Sequence, residues 1–311
     1  RPVCEVCRVL RHAARAALAC VLACIGCDAA AEPPARWRDC TEPSCPWLVT
    51  LHPGRFLMGS PVSEVGRLPN EGPRHPVHIA YRLAVTETPI TRGQFRAYVR
   101  ATGRRPAGGC NAWNGRAWQV DKARDWEHPG FAQTDDDPVV CVSWHEAQAY
   151  ACWLSLKTGH DYRPLSEAEW EFAARAGSAA RYAFGDDERA LCAHANVADR
   201  AARSALAKVQ TDCDDGFAYT APVRSFPPNA WGLYDMHGNV WQWVRDCYAD
   251  QSYESAPTDG SAVQIRPCLE RVLRGGGWNN GSDMQRLAYR DHDRPSGRHA
   301  NTGLRLARTL P

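Results

Sequence analysis

Apolar residues recur at the spacing of an α-helix in three segments, and each segment follows a hydroxyl residue that can cap it. The caps are Thr91, Ser143 and Ser166, and the third helix opens with the capping box Ser-Glu-Ala-Glu. The second predicted helix ends near Gly159 and the third at Gly177, because glycine is a common C-terminal cap. The predicted buried faces contain Phe95, Tyr98, Val99, Ala147, Tyr150, Ala151, Leu154, Trp170 and Ala173.

Short apolar runs predict strands at 47–51, 56–58, 77–85 and 271–274. Residues 179–232 are rich in Asp, Asn, Gly and Pro and show little periodicity, which is typical of long ordered loops. Few helices, short strands and long loops favour an α+β domain. Since no low-complexity linker or repeat interrupts the chain after Trp37, residues 36–311 are predicted to form a single domain.

Residues 1–35 have a different pattern and are predicted to be a leader and linker. Four arginines precede an apolar run at 16–27, and a polar segment with prolines follows, which is the layout of a bacterial secretion signal. The tetrapeptides ending at Cys24 and Cys27 both resemble a lipoprotein cleavage box, whose cysteine receives a lipid. An ordinary cleaved signal and a buried helix are the alternatives. We therefore expect an exported protein of the cell envelope or surface, with a lipid anchor under the first interpretation.

Composition excludes several classes of protein. The 311 residues are 44% hydrophobic and 23% charged, which excludes wholesale disorder. The formal net charge is +2, without the concentrated basic stripe of a general nucleic-acid binder, so no nucleic-acid partner is expected. No run of about 20 apolar residues occurs, which excludes a multi-pass membrane protein.

Fourteen cysteines are present, of which five lie in the leader and nine in the body of the chain. No zinc-site spacing occurs in the body, and an exported protein would pair these cysteines as disulfides. The odd count leaves at least one cysteine free or lipidated, and Cys152, within the pattern of the second helix, is the candidate for a buried thiol. Proximity along the chain favours the pairs Cys40–Cys45, Cys192–Cys213 and Cys247–Cys268.

Eight short motifs together resemble the formylglycine-generating-enzyme, or sulfatase-modifying factor, family. They occur in the family's order and extend over about residues 47–308. The resemblance implies a C-type-lectin-like fold with long ordered loops. The motifs are GRFLMGS at 54–60, VTETPIT at 85–91 followed by Gln94 and Phe95, PVVCVSW at 138–144, RPLSEAEWE at 163–171, NAWGLYDM at 229–236, GNVWQW at 238–243, RGGGW at 274–278 and GLRL at 303–306.

The resemblance also bears on catalysis. The family's oxidases carry two cysteines shortly after the Gly-Gly-Ser motif, where the soft thiolates bind copper and activate oxygen. Here Asn280 and Gln285 stand roughly at those positions, and no cysteine follows Cys268. We therefore expect a non-catalytic member without copper. The alternative is an enzyme of the same superfamily with metal-dependent oxidative chemistry. Its histidines would be His292 and His299, and its carboxylates Asp291 and Asp293.

Calcium is the one cofactor that the resemblance implies. The family has a calcium site in the acidic loop that ends near residue 217, where hard oxygen donors would hold an irregular segment together. A solvated acidic turn is the alternative. A second family site is expected to be weaker, because neutral Gln242 stands where the family usually has Glu. The first site maps onto Asn196, Val197, Asp215 and Phe217, and the second onto Asp235, Gly238, Val240 and Gln242.

The segment 278–302 is polar and is bracketed by the motifs RGGGW and GLRL. Its mixture of Tyr, Asp, His and Asn resembles an antibody paratope more than an active site. The arrangement also resembles the variable proteins of diversity-generating retroelements, which carry a hypervariable cassette at the end of a lectin-like domain. Trp278 and Tyr289 are the expected apolar anchors. The predicted ligand-binding residues are Trp278, Asn279, Asn280, Gly281, Ser282, Asp283, Gln285, Tyr289, Asp291, His292, Asp293, Gly297, His299, Asn301 and Thr302.

These features predict a monomeric, receptor- or adhesin-like variable protein that displays residues 278–302 to a protein or cell-surface ligand. The superfamily enzyme is the alternative from another class. A structural module of the cell envelope is a third interpretation, favoured if the C-terminal loop is invariant between strains.

Overall fold

Three α-helices begin at the predicted caps: α1 (Arg92–Thr102), α2 (Trp144–Thr158) and α3 (Glu167–Arg175). They belong to a computed structural model that describes residues 36–206, 209–249 and 253–311. Each capping hydroxyl accepts a hydrogen bond from the backbone N–H three residues on, and each helix has a full capping box. The predicted leader, residues 1–35, lies outside the described residues.

The strands are short, and they form two sheets and two hairpins. A five-stranded sheet has the order β1-β2-β5-β13-β8, and a four-stranded sheet has the order β11-β10-β9-β12; β3 pairs with β4, and β6 with β7. The strands are β1 (Arg36–Trp37), β2 (Leu48–Leu51), β3 (Gly54–Met58), β4 (His75–Ile79), β5 (Leu83–Thr86), β6 (Cys110–Trp113), β7 (Trp118–Asp121), β8 (Arg163–Pro164), β9 (Trp241–Cys247), β10 (Arg271–Arg274), β11 (Arg290–Asp293), β12 (Thr302–Leu304) and β13 (Leu306–Thr309). Short 3₁₀ helices occupy Pro69–Glu71, Glu188–Ala193, Ala201–Ser204 and Ser282–Gln285.

The predicted strand 77–85 is wrong as one element. It is two strands, β4 and β5, separated by residues 80–82. The two belong to different pairings, because β4 pairs with β3 whereas β5 lies between β2 and β13. An apolar run does not reveal a turn that carries no glycine or proline, and residues 80–82 are Ala-Tyr-Arg.

The C-terminal strands hold residues 275–301, which include most of the predicted ligand-binding residues, against the four-stranded sheet. β12 pairs in parallel with β9, and β13 pairs antiparallel with β5, so the end of the chain crosses from one sheet to the other. β10 precedes the segment 275–301, β11 interrupts it and β12 follows it, and all three belong to the four-stranded sheet. The segment is therefore held at both ends and at its middle.

Buried arginines connect this sheet to the helices. Arg274, at the end of β10, is 0% exposed and donates hydrogen bonds to Glu171 (2.5 Å) and Glu167 (3.0 Å) of α3. Glu167 also pairs with Arg290 of β11 (2.6 Å), and Glu171 with Arg175 (2.8 Å). Buried charges of this kind are tolerated where each has a hydrogen-bonded partner of opposite charge.

Four disulfides are present among the described cysteines. The predicted pairs Cys40–Cys45, Cys192–Cys213 and Cys247–Cys268 are confirmed. Cys110–Cys141 is an additional pair that proximity along the chain did not indicate. The expectation that Cys152 is buried is wrong: it is free and exposed, since it lies off the buried stripe of α2. Four disulfides are typical of proteins from oxidising compartments. Among the described residues, no helix has the length and apolar character needed to cross a membrane.

Candidate ligand-binding surface

The segment 275–301 leaves β10 through two glycines with left-handed backbone, Gly275 (φ 101°) and Gly276 (φ 76°). Glycine is required at Gly276 for a second reason, because a Cβ there would lie 2.1 Å from the side-chain oxygen of Gln285. The chain then forms the 3₁₀ helix Ser282–Gln285 and strand β11 before it reaches β12.

Several predicted binding residues are part of the interior. Trp278 (1% exposed), Gln285 (0%) and Thr302 (1%) are buried, so the expectation that Trp278 is an apolar anchor at the surface is wrong. Its indole N–H donates to the carbonyl of Ala300 (3.0 Å), which satisfies the one polar atom of a core tryptophan. Tyr289 is half-buried, and desolvation raises the pKa of its phenol to about 12. Gly281 is also buried.

Other predicted residues meet one another at the surface. The side-chain amide of Asn301 donates to Asn279 Oδ1 (2.8 Å). His299 lies between Asp293, whose carboxylate is 2.5 Å from Nε2, and the amide nitrogen of Asn111, 3.1 Å from Nδ1. An isolated backbone bridge between Asn111 and His299 also holds β6 against this segment.

The remaining exposed members contact different parts of the domain. Asp283 accepts a hydrogen bond from Arg181 (2.6 Å). His292 stacks on Tyr248, with ring centroids 3.8 Å apart, and lies 3.0 Å from a carboxylate oxygen of Glu270. Desolvation raises the pKa of the neighbouring Asp291. The segment therefore presents two hydrogen-bonded pairs, Asn279–Asn301 and Asp293–His299, with Asp283 and His292 in separate contacts.

Three half-buried aromatic side chains surround the indole of Trp278, and we call Trp118, Phe131 and Tyr219 the aromatic wall. Their ring centroids lie 6.0, 5.6 and 5.1 Å from that of Trp278, and Phe131 stacks on Tyr219 at 4.5 Å. Sequence reasoning missed this wall, because the three residues come from β7 and two separate loops and share no spacing. The abundance of tryptophan was the one available signal.

The side chains of Asn280 and Gln285 converge on the peptide groups of Gly277. Asn280 Oδ1 accepts from the Gly277 N–H (3.1 Å) and from the indole of Trp241 (2.8 Å). Gln285 Nε2 donates to the carbonyls of Gly277 (3.2 Å) and Asn280 (3.1 Å). Both are neutral amides that hydrogen-bond to the scaffold.

Residues 35–310 match the family described as Sulfatase-modifying factor enzyme 1-like domain. The chain belongs to this family. It is 32% identical over 291 residues to the formylglycine-generating enzyme of Streptomyces coelicolor, an alignment that covers 83% of this chain and 88% of that protein. The resemblance inferred from the eight motifs is confirmed.

Two solved structures support the α+β, C-type-lectin-like fold of this family member. PvdO from Pseudomonas aeruginosa is similar with a TM-score of 0.78 and 40% identity, over 90% of this chain and 99% of that one. Treponema denticola variable protein 1 has a TM-score of 0.64 and 20% identity, over 89% of this chain and 99% of that one. The fold that we expected is thus confirmed, and it is shared with a variable protein.

The residues of the family's first calcium site fit a cation. Asn196 is fully buried, and its Oδ1 has no hydrogen-bond partner among the described residues. The carboxylate of Asp215 accepts the backbone N–H groups of Val197 (2.7 Å) and Phe217 (2.8 Å), yet burial still raises its pKa to about 7. No ion pair of Asp215 occurs within the described ranges, and an orphaned amide oxygen beside such a carboxylate is the kind of oxygen donor set that calcium prefers.

The residues of the second family site do not fit a cation. Gln242 Oε1 already accepts from the indole of Trp170 (2.9 Å) and from Arg305 Nε (2.9 Å), and its Nε2 donates to the carbonyl of Asp235 (2.8 Å). Burial lowers the pKa of the Arg305 guanidinium to about 9. Both lone pairs of the amide oxygen are used and a guanidinium lies against it, so Gln242 has no free donor oxygen for a cation.

Proposed function

We propose that this chain is a non-catalytic member of the sulfatase-modifying factor family that binds a protein or cell-surface ligand. The observation that carries the proposal is that the aromatic wall surrounds Trp278, the residue from which the polar segment 279–301 continues. Asn279 follows buried Trp278 and Asn301 precedes buried Thr302, so a rigid core supports these partly exposed amides.

The chemistry of this surface suits recognition. The aromatic wall supplies rigid apolar area at a low cost in side-chain entropy, and the asparagines and His299 supply hydrogen-bond donors and acceptors. At the positions where the family's oxidases have thiols, Asn280 and Gln285 are amides bound to Gly277. The copper chemistry of those oxidases therefore has no ligands here.

We further propose that the exposed members of 279–301 vary, as in the variable protein of a diversity-generating retroelement. The shared fold with Treponema denticola variable protein 1 and the position of the segment near the end of the domain support this. Sequencing the DNA downstream of the gene distinguishes such a cassette from a fixed surface. A cassette predicts a near-copy of the end of the gene that differs mainly at adenines and lies beside a reverse-transcriptase gene. Four disulfides support export of the protein. We also propose that the exported protein carries a lipid on Cys24 or Cys27. We propose a monomer.

Binding by selected ligands tests the surface. Cyclic peptides selected from a random display library on the full chain are the probes. We expect Trp118→Ala and Tyr219→Ala each to weaken binding at least about tenfold, because aromatic anchors dominate binding energy. Dissociation constants from biolayer interferometry provide the measurement, and Leu156→Ala, at a side chain 83% exposed on α2, is the matched control. Unchanged affinity in both aromatic variants for every selected peptide would contradict the proposal.

The superfamily enzyme is favoured by a single observation, the Asp293–His299 pair, which has the geometry of an orienting carboxylate and a base. Oxygen consumption that depends on an added metal and is lost in His299→Ala would replace the binding proposal with this one.

Calcium is proposed at the first family site. We expect saturating Ca²⁺, relative to EDTA, to stabilise the folded chain by about 2.7 kcal/mol at 100 times the dissociation constant, which raises the unfolding midpoint by about 5–10 °C. Asp215→Asn should abolish this difference, whereas Asp214→Asn, at an exposed neighbour, should retain it. Identical midpoints for the unaltered chain in Ca²⁺ and in EDTA would contradict a calcium site.

A further inference from the structure

A pocket with a volume of about 210 Å³ lies apart from the segment 279–301 and its aromatic wall. Its rim contains Pro227, Pro228 and Ala230, all exposed, and its floor contains the buried Leu233 and Met236. A volume of this size is below that of pockets for drug-sized ligands, so it suits a single ring system.

One wall of the pocket is a stack of flat rings. Phe184 lies on His194 with centroids 4.3 Å apart and planes 8° apart, and Tyr182 lies on Phe184 at 5.0 Å and 4°. Phe184 and His194 line the pocket together with the two rim prolines. Flat rings and prolines in the lining favour a planar apolar group.

The polar groups at the floor already have partners. His237 Nδ1 donates to the carbonyl of Gln285 (2.7 Å), and its Nε2 accepts the N–H of Ala183 (3.0 Å). Asn229 Oδ1 accepts two backbone N–H groups, from Trp231 and Leu233, and the Asp235 carboxylate accepts from Arg224 and Asn239. An occupant therefore gains little from a polar floor and much from apolar contact.

His194 differs from these groups. Within the described part of the chain its imidazole makes no hydrogen bond, although the ring lines the pocket. Partial burial lowers its pKa, so the neutral ring has one nitrogen available as an acceptor. The pocket thus offers a ring stack and one free acceptor.

We propose that this pocket binds a planar aromatic group that carries one N–H or O–H donor, such as an indole or a phenol. The group packs against the apolar rim and floor of the pocket beside the ring stack, and its donor bonds to the free ring nitrogen of His194, in the plane of the imidazole. The source is a free small molecule or the aromatic side chain of a peptide. The proposal does not rest on the binding surface at 279–301, so the two fail or succeed separately.

Indole and N-acetyl-tryptophanamide are the probes, and titrations followed by protein amide NMR shifts give the dissociation constants. Binding of indole alone identifies a small-molecule pocket, and binding of both identifies a pocket that also accepts a peptide side chain. Ala230→Trp should fill the rim and weaken indole binding at least about tenfold, while Ala101→Trp, at an exposed position on α1, should not.

His194→Leu separates the hydrogen bond from the apolar contact with the rim and floor. Losing one hydrogen bond should weaken indole about tenfold, whereas 1-methylindole, which has no donor, should bind His194→Leu as it binds the unaltered chain. Absence of indole binding up to its solubility, or equal binding to the Ala230→Trp variant, would overturn the pocket assignment. Equal loss for both indoles in His194→Leu would overturn the role of the imidazole. Unfolding midpoints establish that each variant is folded.

Discussion

Replacing Arg274 with methionine is expected to lower the midpoint of thermal unfolding by roughly 10 °C. The guanidinium is fully buried at the end of β10 and bridges Glu167 and Glu171 of α3. Removing it leaves both carboxylates in the interior with less positive charge, and breaking a buried ion pair typically costs 3–5 kcal/mol. We expect a cost at the lower end of that range, because Glu167 retains its ion pair with Arg290 and Glu171 retains its ion pair with Arg175.

Calorimetry or circular dichroism on the full chain measures this effect. Arg294→Met, at an exposed position after β11, is the matched control and should change the midpoint by at most about 2 °C. If Arg274→Met and Arg294→Met unfold at the same temperature, the buried network does not connect β10 to α3 as described.

Local patterns predicted the helices well because their determinants are local. Ser143 and Ser166 with their capping boxes define where α2 and α3 begin, and Gly159 defines where α2 ends. The strand β10, Arg271–Arg274, was predicted with its observed bounds. By contrast, the split between β4 and β5 depends on which partners each strand finds, and those partners are distant in sequence.

The candidate surface was predicted as a segment but not residue by residue. Trp278 and Asn279 are neighbours, as are Asn301 and Thr302, yet one of each pair is buried and the other is partly exposed. Composition describes the segment as a whole and therefore cannot separate these two roles. The aromatic wall was missed for a related reason, since Trp118 reaches this site through contacts between residues distant in sequence, such as the bridge between Asn111 and His299.

Restoring thiols tests the interpretation of Asn280 and Gln285 most directly. Both side chains hydrogen-bond to Gly277, one to its N–H and the other to its carbonyl, so two cysteines at these positions should face the same small volume. Paired thiolates are soft ligands that favour Cu(I), whereas neutral amides are not. We expect Asn280→Cys/Gln285→Cys to change Cu(I) binding from none to about one equivalent per chain.

Retention of Cu(I) against bathocuproine disulfonate provides the measurement. The background replaces with serine both Cys152, the free, exposed thiol of the described chain, and the five cysteines of residues 1–35. Each single cysteine variant is a control and should lose the metal to the chelator, since one thiolate is a far weaker site than two. Failure of the folded double variant to hold copper would show that the two positions do not converge. Stoichiometric copper in this background protein with Asn280 and Gln285 intact would instead contradict our proposal that these two amides leave the chain without a copper site. Copper binding by the double variant alone would show that the scaffold still supports the site and that two amides suffice to remove it.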